Sequence, residues 1–81
     1  MKELVEYIVK SLVDQPDDVR IVESQSRDRM ILELSVAAPD MGRVIGKGGR
    51  IINAIRKLVQ VAAAKQGRQV SLELIEVDDR R

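Results

Sequence analysis

Apolar residues recur at Leu4, Val5, Ile8, Val9, Leu12 and Val13, the three-and-four spacing that paints one stripe along a helix. Pro16 limits that helix, because its ring and missing N–H exclude it from a helix interior. The period then shortens. "VRIVES" and "MILELSV" read as strands, the second with Met30, Leu32, Leu34 and Val36 on one face, and the polar stretch "QSRDR" joins them into a hairpin. Pro39 breaks the second strand, and Asp40 stands where a side chain would cap a short helix, Met41 to Ile45. A longer helix is predicted from about Arg50 to Gln66, with Ile51, Ile52, Ile55, Leu58, Val59 and Ala62 on one face and Gly67 as its stop. "QVSLELIEV" reads as a last strand before a charged tail.

The order α-β-β-α-α-β implies an α+β fold, a three-stranded sheet covered on one face by three helices. The hairpin strands must be antiparallel. The second and last strands are separated by both later helices, a crossover that makes them parallel neighbours and the sheet mixed. A length of 81 residues makes one small domain with one modest core, which leaves no room for lobes around a large cleft. With no histidine and no cysteine, the commonest general base, imidazole and thiolate metal ligands, and disulfides are all excluded. The stretch "MKELVEYIVKSLVD" is interrupted by Lys2, Glu3, Glu6 and Lys10, so it lacks the apolar core of a signal peptide or a membrane span. A cytoplasmic protein without a membrane partner is expected.

Net charge is only +1, but its distribution is uneven. Residues 1–42 carry five basic and nine acidic groups, whereas residues 43–68 carry Arg43, Lys47, Arg50, Arg56, Lys57, Lys65 and Arg68 and no acid. The positive field therefore centres on "RVIGKGGRII", residues 43–52, which also holds three of the chain's five glycines. Such a cluster marks backbone that turns sharply or approaches something closely, and the charge suits a polyanion. A basic, solvated helix face is the plainer alternative.

Spacing separates the glycine-loop motifs. A phosphate loop needs four residues between its first glycine and Gly-Lys-Ser/Thr, whereas Gly42 and Gly46 enclose three and Gly48 replaces the hydroxyl. A dinucleotide fingerprint counted from Gly46 would need glycine at Ile51 and a larger fold than this chain provides. What remains is Gly-x-x-Gly between two helices, here Gly46, Lys47, Gly48 and Gly49.

Val44, Ile45, Gly46, Gly49 and Ile52 match the core signature Val-Ile-Gly-x-x-Gly-x-x-Ile of KH domains, and the element order is similar to the type II arrangement seen in NusA and Era. The resemblance covers essentially the whole chain, with a helix–strand extension over 1–28 and a minimal KH core over about 29–77. A free-standing KH domain of this length resembles the KhpA family of small bacterial RNA-binding proteins. The resemblance implies that the loop holds about four nucleotides of single-stranded RNA, with no cofactor and no catalysis. Glycines at 46, 48 and 49 would let the sugar-phosphate backbone lie against the protein, facing the positive N-terminal end of the following helix. Lys47 supplies a charge at the loop tip, flanked by Arg43 and Arg50. Val44, Ile45 and Ile52 are candidates either for a base-holding groove or for the core. Arg50, Asn53 and Lys57, spaced i, i+3, i+7, form a stripe that either follows further phosphates or is simply solvated.

The family resemblance further implies self-association and pairing with KhpB (Jag), a larger protein with its own KH domain, in an RNA chaperone affecting gene expression, cell shape and wall synthesis. Ala54 and Val61, just outside the main stripe of the long helix, belong either to a dimer surface or to ordinary packing. Tyr7, the one aromatic residue, is expected in the core or at an interface. Two other function classes compete. Asp17 with Asp18, or Asp78 with Asp79, could ligate a metal, but neighbouring side chains in a turn or tail do not converge. A protein-interaction module that merely retains the KH scaffold is the alternative, against which Lys47 argues.

Overall fold

The computed structural model describes residues 1–75. Helix α1 (Lys2–Leu12) ends where Val13 becomes extended, and Pro16 opens a 3-10 turn ahead of strand β1 (Arg20–Ser26). Strand β2 (Arg29–Ser35) leads through a second 3-10 turn, Ala38–Asp40, into α2 (Met41–Ile45). A third such turn, Lys47–Gly49, precedes α3 (Arg50–Lys65), and β3 (Gln69–Leu74) completes the fold. The sheet order is β1-β2-β3, with β1 and β2 antiparallel and β2 and β3 parallel. This is the mixed sheet and crossover expected from the element order. The last strand was expected to reach residue 77. Ile75 N still donates to Leu34 O at 2.7 Å, and residues 76–77 lie outside the described ones, as do Asp78 and Asp79.

The core is aliphatic. Val5 and Val9 of α1, Leu32 and Leu34 of β2 and Val59 of α3 are fully buried, with Val70 and Leu72 of β3 beneath α3. Tyr7 is 75% exposed, so it is not a core residue. It stands two positions from both Val5 and Val9, about 200° around the helix, which turns it away from the sheet. The hairpin is tighter than the five-residue polar stretch suggested. Gln25 pairs with Met30 and Ser26 with Arg29, leaving only Arg27 and Asp28 in the turn. Ladder hydrogen bonds come from the backbone, so polar side chains in exposed strands do not end the pairing.

Helix α3 also departs from its expected face. Its buried positions are Ile52, Ile55, Val59 and Ala63, while Leu58 is 55% exposed and Ala62 is only half-buried. Among the described residues the helix packs chiefly along β3 and α2, so the buried stripe is narrower than the apolar one. Ala54, Leu58 and Val61, at i, i+4 and i+7, are left as a second, exposed apolar stripe.

Candidate nucleic-acid interface

The four-residue loop between α2 and α3 is built by its glycines, each for a different reason. Gly46 adopts φ 76° and ψ 172°, a region essentially closed to other residues. A Cβ there would also lie 2.6 Å from Ile51 Cγ1 and 2.9 Å from Ile51 N. Its missing side chain thus faces inward, against the first turn of α3, and not toward a ligand. Gly49, left-handed at φ 78° and ψ 14°, is the N-cap of α3. Gly48 is also left-handed, at φ 65°, but nothing lies within 4 Å of where its Cβ would be. The open approach to the backbone is therefore at Gly48.

The loop's own hydrogen bonds use Gly46 N to Gly42 O, Gly49 N to Gly46 O and Arg50 N to Lys47 O. The amides of Lys47 and Gly48 are outside that network. Among the described residues no side chain caps α3, and its first turn contains no acid. Lys47 and Arg50 are exposed and take part in no ion pair among the described residues. Free amides, a helix N-terminus and two uncommitted cations thus converge on one open surface, an arrangement suited to anions.

Asp40 stands at the N-cap position of α2 as expected, but its side chain makes no capping hydrogen bond to the helix. As the last residue of the 3-10 turn Ala38–Asp40 it lies in the helical region, at φ −92° and ψ −5°. Its carboxylate, with the residue only 1% exposed, instead accepts from Asp14 N and Gln15 N at 3.0 Å each. These are amides left without helical partners where α1 has ended, so Asp40 ties the start of α2 to the end of α1. Arg43 completes the tie, with Nη2 3.1 Å from Asp14 Oδ2 and Nη1 3.5 Å from Asp40 Oδ1. Replacing Asp40 with Ala strands two amides and should cost about 2 to 3 kcal/mol. A thermal melt within a degree of the parent would contradict this role.

The remaining candidates divide by burial. Val44 is fully buried and Ile52 nearly so, which makes both of them core, whereas Ile45 is half-buried beside the loop. Arg50, Asn53 and Lys57 are exposed along α3. Gly49 faces Asn53, whose Nδ2 would sit 3.5 Å from a Cβ on that glycine. Arg43 is 49% exposed but committed to two carboxylates. Arg56 was not anticipated as a site residue. Its Nε donates to Leu72 O at 3.1 Å and its Nη1 to Asn53 Oδ1 at 3.3 Å, which holds the polar flank of α3 against β3. Its position in the basic block of the sequence was the only hint.

Among the described residues no helix is long and apolar enough to cross a membrane, and no group of three or more acidic side chains is placed to hold a metal ion. Residues 2–74 match the family model described as KhpA/KhpB, KH domain. The chain is 55% identical over 75 residues to the RNA-binding protein KhpA of Clostridium perfringens, covering 93% of this chain and 100% of that one. It is 53% identical over 76 residues to the protein of the same name from Chlamydia pneumoniae, covering 94% and 97%. Among solved structures, Era of Aquifex aeolicus superposes with a TM-score of 0.63 at 22% identity, over 95% of this chain and 30% of that one. At that identity the likeness concerns the fold alone.

Proposed function

This chain belongs to the KhpA/KhpB KH-domain family, and from that premise we propose that it binds single-stranded RNA, without catalysis, through the loop Gly46–Gly49. The observation that carries the proposal is the open backbone at Gly48, flanked by the uncommitted Lys47 and Arg50 at the start of a 16-residue helix. Phosphates would meet the loop amides and these two cations, and Asn53 and Lys57 lie further along α3. Ile45 is the aliphatic side chain best placed to touch a base, because Val44 and Ile52 are already buried in the core. Arg43 then acts by holding α2 in place through Asp14 and Asp40. RNA-binding is what the names of the curated relatives state of those proteins.

A site of about four nucleotides binds weakly by itself, so avidity requires more than one loop. The exposed stripe Ala54, Leu58 and Val61 on α3 supports self-association into a homodimer. Pairing with a larger KhpB (Jag)-like protein would supply a second site in the same way, in a cytoplasmic RNA chaperone. The same stripe is what would favour a purely protein-binding module. Fluorescence anisotropy with single-stranded and duplex RNA of equal length, at two salt concentrations, separates the two readings. Single strands should bind more tightly, with a salt slope of roughly −2 for about three neutralised phosphates. Tighter binding to the duplex, or no salt-dependent binding at all, would reject the loop as an RNA site. Leu58→Asp should abolish dimers in sedimentation at micromolar concentration, and a parent protein that sediments as a monomer would remove the homodimer.

A further inference from the structure

The large apolar side chains left exposed among the described residues gather mostly on the two longer helices. On α3, Leu58 is 55% and Val61 57% exposed, and on α1, Leu4 is 40% and Tyr7 75% exposed. Leu4, Tyr7 and Ser11, at i, i+3 and i+7, run along the side of α1 turned away from the buried Val5 and Val9. Ser11 adds no unmet polar group, because its hydroxyl donates to Tyr7 O at 2.7 Å. We propose that this outer face of α1 is a docking surface, and that its occupant is the α3 stripe of Ala54, Leu58 and Val61 in a second copy of the chain. The proposal rests on the self-association assigned to that stripe and names the surface it meets.

Charge selects this pairing. Helix α3 carries Arg50, Arg56, Lys57 and Lys65 and no acid. Lys65 continues the apolar stripe, and Arg50 and Lys57 border it. Two α3 stripes laid together would set like charges face to face, which works against association. Helix α1 balances Lys2 and Lys10 with Glu3 and Glu6, and the side chain of Glu3, one turn before Tyr7, is 87% exposed. It therefore offers an apolar stripe with a carboxylate at its rim for a lysine or arginine of α3. Tyr7 is the type of residue that anchors interfaces, with a large rigid ring to bury and a hydroxyl that can stay wet at the edge. Pairing α1 with α3 also covers both stripes, whereas pairing either helix with its own copy leaves the other stripe exposed.

The helical layer lets the contact form twice. Helix α2 packs on both α1 and α3 and so lies between them. A two-fold axis passing over α2 lays α1 of each protomer on α3 of its partner, giving two equivalent contacts in one closed dimer. On that axis α2 presents Gly42, which is exposed and has nothing within 4 Å of where its Cβ would be, so the two layers can approach. The two glycine loops then lie at the same level along the axis, the pairing of sites that avidity requires.

Sedimentation of the full chain, of its Tyr7→Lys and Leu58→Asp variants, and of an equimolar mixture of the two variants tests the proposal. Each variant alone should dimerise at least tenfold more weakly than the parent, because each damages both contacts. In the mixture one contact is unaltered and the other sets the introduced lysine against the introduced aspartate. A mixed dimer should therefore form at a concentration where neither variant pairs with itself. Both side chains are exposed, so circular dichroism should match the parent. A Tyr7→Lys variant that dimerises as the parent does would overturn the proposal, because α1 would then lie outside the interface. So would a mixture that pairs no better than its parts. A monomeric parent is a different result: it removes the self-association itself, leaves both stripes to another protein, and the proposal falls with it. If Tyr7→Lys impairs folding, Tyr7→Cys and Leu58→Cys serve, since the chain has no cysteine of its own. A short bis-maleimide should then link the mixture and neither variant alone, and linking of Leu58→Cys to its own copy would overturn the proposal.

Discussion

Gly46→Ala should destabilise the protein by about 3 kcal/mol or more, whereas Gly48→Ala, two residues away, should cost only about 1 kcal/mol. Both glycines have positive φ, but only Gly46 combines φ 76° with ψ 172° and has Ile51 against its α-carbon. A Cβ at Gly46 would meet the Ile51 backbone nitrogen at 2.9 Å, which cannot move without shifting the first turn of α3. Gly48, at φ 65° and ψ 19°, is close to the left-handed region that other residues visit, and it has open space around it. For a domain of this size each kcal/mol lowers the melting temperature by about 4 to 8 °C. Gly46→Ala should therefore melt about 8 to 16 °C below Gly48→Ala, and thermal melts of the two variants measure the difference directly. Equal losses would mean that the packing of the loop on Ile51 does not matter.

Lys47→Asp combined with Gly48→Asp should reduce affinity for single-stranded RNA at least about a hundredfold, or 2.8 kcal/mol at 1.4 kcal/mol per decade. The double change moves the loop tip by three units of charge toward the sign of the phosphates. Two like charges about 4 Å apart near a protein surface repel by up to about 4 kcal/mol, so the loss follows even after partial screening. The fold should survive. Aspartate tolerates the left-handed backbone at Gly48 better than most residues, and neither side chain at 47 or 48 is buried. Circular dichroism and melting cooperativity should stay close to those of the parent. A variant that binds as well as the parent would place the RNA elsewhere.

Most of this architecture was legible in the chain because its elements carry clear periods. Val5 and Val9 on α1, and Leu32 and Leu34 on β2, announce their buried faces, and the crossover to β3 follows from element order. What escaped depends on contacts between distant residues. Leu58 looked buried because two apolar stripes overlap on α3, and only the placement of the helix along β3 shows which of them is covered. Asp40 matched a local capping pattern, but amides 25 and 26 residues away compete for its carboxylate and win. Arg56 gave no signal beyond its charge, since its acceptor is a backbone carbonyl on β3. The loop shows the same division. Its glycine spacing was visible, yet the need for glycine at 46 comes from Ile51 and at 48 from an open left-handed turn, a distinction that requires coordinates.

The central claim is that RNA lies on the glycine loop, and amide chemical-shift mapping during a titration with single-stranded RNA tests it most directly. The largest shifts should fall on the amides of Lys47, Gly48, Gly49 and Arg50, with smaller ones along Asn53 and Lys57 and little change on α1. Shifts confined to Ala54, Leu58 and Val61, or to α1, with the loop amides unmoved under saturating RNA, would contradict it.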